Sequence, residues 1–205
     1  EVHTPNPPTN PPPVEVDIFP TTTAQITLQK PNNGGTETVL LTGPTEVHVQ
    51  IAPDGTGPAV TSSGGLDLVP TAMVSMNLNG TGSQGSVTVN LNPSRPTVGQ
   101  IKETVNLNLG RVDVDPFTAG GTATSFFDVF IEVHVGGLTL HNALPIHMES
   151  LIHHKPPAPG DEYVNPFTTP IPLLDAAGNV TGYELLREVH TPNPPTNPPP
   201  VEVDI

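Results

Sequence analysis

The chain has 205 residues, with 28 Pro, 19 Gly, no Cys and a net charge of −14. A surface this acidic does not bind nucleic acid by counterion release, and it repels anionic membranes. The missing thiols remove disulfides, Cys-ligated metals and Cys nucleophiles, and no apolar run reaches membrane-spanning length.

Residues 1–18 read EVHTPNPPTNPPPVEVDI, and residues 188–205 repeat them without a difference. The pattern is that of a window cut from an array repeating every 187 residues, so repetition comes before any argument about fold. The second copy holds Glu188, Glu202 and Asp204 and no Lys or Arg, which leaves −11 for residues 1–187. Such a charge suits solubility outside the cell.

Within residues 1–13, six prolines predict a polyproline II spacer of some stiffness. Next, Val14, Val16 and Ile18 alternate with Glu15 and Asp17. This is the period of a half-buried strand, with Pro20 expected to end it. A short strand on a stiff tether has to pair with something. Two readings stand open: residues 14–20 are donated to a neighbouring unit, or they form the first strand of their own domain. In the first reading Val14, Val16 and Ile18 fill apolar sites on one unit, and Val201, Val203 and Ile205 do so one step along.

The same alternation recurs around Ile26 and Leu28, Val47 to Ile51, Val74 to Leu78, Val87 to Leu91 and Val105 to Leu109. The longest run is 123–135, which predicts a central strand with Phe127, Val129, Ile131, Val133 and Val135 on one face. Gly136-Gly137 then marks a hairpin. Residues 97–104 are the only helical candidate. A second Pro-rich stretch covers 154–172, and a last hairpin turns at 175–179. The fold class expected is an all-β antiparallel β-sandwich, jelly-roll-like, with a Pro-rich connector and a donor-type strand. The divisions are a spacer at 1–13, a donor strand at 14–20, a sandwich unit at 21–187 and the next connector and strand at 188–205.

Four segments carry a resemblance: ETVLLTGPTEVHV (37–49), SFFDVFIEV (125–133), HKPPAPGDEY (154–163) and the HTPNPP connector. They resemble an uncharacterised family of bacterial tandem-repeat proteins. The chain as a whole is similar to subunits of helical extracellular filaments from environmental water. The resemblance implies a jelly-roll-like unit assembled into a fibre, with copies of itself as partners. It implies no catalytic residues.

Site candidates are few. His147, His153 and His154, with Glu149 between them, are the only cluster that could ligate Zn²⁺ or Cu²⁺, and the spacing fits poorly on a strand. Asp113, Asp115 and Asp128, together with Asp54, Asp161 and Glu162, offer oxygens that could suit Ca²⁺. Asn79 and Asn179 lie in sequons and are N-glycan candidates, although such triplets also arise by chance, and Thr4 and Thr9 in the Pro-rich run are O-glycan candidates. With no G-x-S-x-G, phosphate-binding loop or H-E-x-x-H, no enzyme is expected. The runner-up to a filament subunit is an adhesin or glycan-binding module on a tandem-repeat stalk.

Overall fold

The computed structural model describes residues 2–3, 14–51, 55–56, 61–166 and 169–193. Among these there is strand and turn but no helix, hence none long and apolar enough to cross a membrane. The strands are β1 (Val2–His3), β2 (Glu15–Gln29), β3 (Thr36–Val49), β4 (Thr61–Ser63), β5 (Leu66–Gly82), β6 (Gly85–Leu91) and β7 (Thr97–Glu103). They continue with β8 (Ala123–Val129), β9 (Ile131–Val135), β10 (Leu138–Asn142), β11 (Ile146–Ile152), β12 (Tyr163–Val164), β13 (Ile171–Leu174) and β14 (Val180–Thr191). Every ladder between them is antiparallel, as the alternation predicts.

The ladders close on themselves twice. One ring runs β2–β3–β5–β6–β9–β10–β13–β14 and returns to β2. The other runs β2–β3–β5–β7–β8–β11–β12–β14 and also returns to β2. Four long strands are therefore shared, and each gives one half to each ring. The result is sandwich-like in packing, yet most of its strands have no free edge, which protects them from pairing with other chains.

A bulge re-aims each of three shared strands as it passes between rings. In β2, Glu15, Asp17 and Phe19 face inward, the register shifts between Phe19 and Thr22, and Thr22, Ala24, Ile26 and Leu28 face inward thereafter. In β5 the inward set changes from Asp67, Val69 and Thr71 to Met76 and Leu78. In β14 it changes from Tyr183 and Leu185 to Glu188 and His190 across the shift at Leu185/Arg187. One extra residue exchanges the two faces of a strand, because side chains alternate with period two. Where β3 and β5 cross between the rings, Gly43 leaves room for a carbonyl: a Cβ there would lie 1.9 Å from the Asn77 oxygen.

Several expectations change accordingly. Pro20 does not end its strand; it sits in the bulge of β2. The run 123–135 is two strands, β8 in one ring and β9 in the other, although its predicted inward face is buried throughout. Asn142 covers the break: its side chain donates to the Val129 carbonyl at 2.9 Å and accepts from the Ile131 N–H at 2.8 Å. Residues 97–103 form β7 rather than a helix, because β5 and β8 flank them with complete ladders. Residues 105–109 form no strand, and Val105, Leu107 and Leu109 are exposed.

Candidate functional site

The ring containing β7, β8, β11 and β12 has a polar interior on one side. Lys155 is 1% exposed and its ammonium donates to three carboxylate oxygens. It lies 2.8 Å from Asp17 Oδ1 and 2.6 Å from Asp17 Oδ2, and it also bonds Glu15 Oε1. Glu15 and Asp17 are 0% and 2% exposed. Their position follows from the bulge in β2, which turns the acids of VEVDI inward and its valines outward. Val14 and Val16 are half-buried and Ile18 is exposed.

Two carboxylates facing one ammonium in a dry interior leave excess negative charge. Burial, reinforced by the neighbouring Glu15, pushes the Asp17 carboxyl up to about 6 against the pull of Lys155. Burial alone would lower Lys155, but the charges of Asp17 and Glu15 outweigh it and hold the ammonium above its ordinary value. Sequence reading missed this trio. The only signal was a lysine set among prolines at 154–157 in a chain with six Lys and Arg in total.

Beside Asp17 lies a cavity of about 50 Å³, lined mostly by apolar side chains such as Phe19, Val47, Phe127 and Met148. Three buried hydroxyls also line it, those of Thr22, Thr45 and Thr71, and none has a hydrogen-bond partner among the described residues. In this otherwise apolar space the three hydroxyls are the groups that could hydrogen-bond a water molecule.

The end of β14 closes this ring. Val189 and His190 pair with Gln25 and Ala24 of β2 on one side, and with Val164 and Tyr163 of β12 on the other. Glu188 and His190 are buried, with His190 Nε2 2.6 Å from Glu188 Oε1. Asn165 N–H donates to the Glu188 carbonyl at 3.2 Å, and Asn193 donates to the Thr21 carbonyl at 2.8 Å. Residues 188–191 are the second copy of residues 1–4. The first copy also meets β2, with Val2 opposite Val16 and His3 opposite Glu15. Thus β1 lies antiparallel to β2, as β14 does, further along the same strand.

The remaining candidates are dispersed. His147 bonds Asp128 at 2.8 Å, His153 bonds Asp161 at 2.9 Å, and His154 bonds the Pro156 carbonyl at 2.9 Å. Among the described residues no three His, Cys, Asp or Glu are placed to hold a metal ion. Asp113 organises the segment after β7: it accepts from the Leu107 and Asn108 amides, the Asn108 side chain and the Thr118 hydroxyl. Asp115 accepts from Gly120, and Glu162 is exposed. Asn79 and Asn179 are exposed, and their amides bond Asn77 and Asp175. Asp54, Thr4, Thr9, Val201, Val203 and Ile205 lie outside the described residues.

No protein-family model matches the chain, and no curated protein matches it. Among solved structures it is similar to DynF from the dynemicin biosynthesis pathway of Micromonospora chersina. The TM-score is 0.68 at 22% identity, over 93% of this chain and 90% of that one. At that identity the likeness is one of fold.

Proposed function

We propose that this chain is a structural subunit of an extracellular filament, joined head-to-tail by strand addition through the 18-residue segment that it holds twice. The observation behind this reading is the place of residues 188–191. They are built into a ring between β2 and β12, yet they repeat residues 1–4. One connector can therefore serve two neighbours. Its EVHT end completes β14 of one unit, its prolines set the step, and its VEVDI end begins β2 of the next.

A unit ending at Arg187 lacks the strand between β2 and β12, and residues 1–4 of another copy have the sequence to replace it. Main-chain bonds and the buried Glu and His of that segment give affinity and register. A contact of this kind is heterologous and does not close, so it extends into a filament. This moves the donated strand from Val14–Ile18 to the other end of the same connector.

The test is electron microscopy of residues 1–187 beside residues 5–187, with circular dichroism to confirm that each is folded. Filaments from the longer protein only, capped by a synthetic peptide of residues 188–193, support the reading. Filaments from both, or folded monomers from both, reject it.

A second reading, a module binding a small molecule, is favoured by the cavity beside Asp17. Saturable binding of a small apolar probe such as xenon by a folded monomer, with no filaments, would bring it forward.

A further inference from the structure

We infer that Lys155 and Asp17 become joined by an intramolecular isopeptide bond, which the protein forms by itself with Glu15 as proton carrier. The inference is independent of the filament reading, because it concerns covalent structure within one chain.

Three groups are required for such a bond, and the interior of this ring holds all three. An amine must face a carboxyl carbon. Lys155 Nζ contacts both oxygens of Asp17, at 2.8 and 2.6 Å, which places it opposite Cγ. A second carboxyl must touch the amine to move its proton, and Glu15 Oε1 bonds the same Nζ. The site must also exclude water, which would otherwise favour hydrolysis; all three side chains are no more than 2% exposed. Groups held at contact distance react with an effective concentration far above any attainable in solution.

The protons balance. The starting state is an ammonium, a carboxylate on Glu15 and a neutral acid on Asp17. Burial favours the neutral form of Asp17, and its hydrogen bond to Glu15 favours it further. Lys155 passes one proton to Glu15. The neutral Nζ then attacks Cγ of Asp17 and forms the N–C bond. Glu15 relays a proton from the nitrogen to the departing hydroxyl, the Cγ–O bond breaks, and one water leaves. The products are an amide, a water and a protonated Glu15. No oxidant, reductant or cofactor enters.

The released water has somewhere to go. Asp17 lines the adjoining cavity, and the unpartnered hydroxyls of Thr22, Thr45 and Thr71 line it too. Turning the ammonium into a neutral amide and the Glu15 carboxylate into its acid also abolishes the desolvation cost of a buried ion pair. The bond would clip the start of β2, just after the Pro-rich spacer, to a residue 138 positions away. Tension arriving along the spacer would meet a covalent bond at the third residue of β2, ahead of most of that strand's ladder to β3.

The experiment is the denatured intact mass of the full 205-residue protein, followed by peptide mapping. The expected mass is one water below that of the sequence, with a branched peptide joining the segments of Asp17 and Lys155. Asp17→Ala and Lys155→Arg are expected at full mass, and Glu15→Gln at full or largely full mass. A folded wild-type protein at full mass overturns the proposal. A branch at Glu15 instead of Asp17 overturns the assignment, and full cross-linking in Glu15→Gln overturns its role.

Discussion

His190 Nε2 and Glu188 Oε1 lie 2.6 Å apart inside the ring that β14 closes, and both residues recur in the chain as His3 and Glu1. The pair sits on one face of β14, two residues apart, and Glu188 Oε2 has no partner among the described residues. Glu188 thus depends on His190.

Removing that partner should be costly at one copy and harmless to the fold at the other. His190→Ala leaves a buried carboxyl group without its hydrogen-bond partner and is expected to destabilise the full chain by about 1–3 kcal/mol in urea unfolding. His3→Ala in residues 1–187 is expected to leave folding unchanged and to weaken filament formation. Equal effects of the two substitutions on stability would separate the duplicated segments from the joint proposed for them.

The bulge of β2 offers a sharper test of how the interior is chosen. Deleting Thr21 removes the extra residue, so Glu15 and Asp17 would turn outward while Ala24 to Leu28 stay in register. Lys155 would then be buried without its partners. The expected loss is at least about 3 kcal/mol in a thermal or urea melt. An unchanged melt would mean that the bulge does not set the facing of VEVDI.

Asp113 is expected to anchor the segment after β7. Burial opposes its ionisation, but the hydrogen bonds from Thr118, Asn108 and Leu107 outweigh that and hold the carboxyl below its usual range. A depressed folded value means stability that is present above the unfolded pKa and lost as pH falls through the folded one. Asp113→Ala should cost about 2–3 kcal/mol at pH 7. The deficit should shrink toward acid pH, as read by urea midpoints across pH.

Asp17 behaves in the opposite sense while it remains a free carboxyl. Its folded value of about 6 stands above the ordinary 3.8, so the folded state holds the extra proton between them. Stability then falls as pH rises through that window, by about 3 kcal/mol in all. Lys155→Arg, which keeps the charge but is not expected to form the amide, should show this fall. The wild-type protein, with Asp17 consumed in an amide, should not. Identical pH profiles for the two proteins would count against the bond.

Much of the fold was legible because alternation is a local property. The faces of 123–135, the Gly136-Gly137 hairpin and the turn at 175–179 follow from side chains that point to opposite sides of a strand. Both glycines of that hairpin take positive φ, as the tight turn needs. The facing of VEVDI was not legible. Val14, Val16 and Ile18 share the even numbering of Ala24, Ile26 and Leu28, so period two placed them inward with the rest. The extra residue near Pro20 has no composition signal strong enough to announce itself, and one residue is sufficient to exchange the faces. The strand at 97–103 is hidden in the sequence for a related reason: two flanking ladders decide its state, and those come from β5 and β8.

By itself, the sequence determined that the chain is all-β and antiparallel in pattern, acidic, free of thiols and duplicated over 18 residues at its two ends. Only the tertiary structure decided that β2, β3, β5 and β14 each serve two rings, that residues 188–191 close one of them, and that Lys155 meets Glu15 and Asp17. Strand period is set by neighbours along the chain. Ring closure and a buried ion trio are set by residues on the order of a hundred positions apart, which no local period reports.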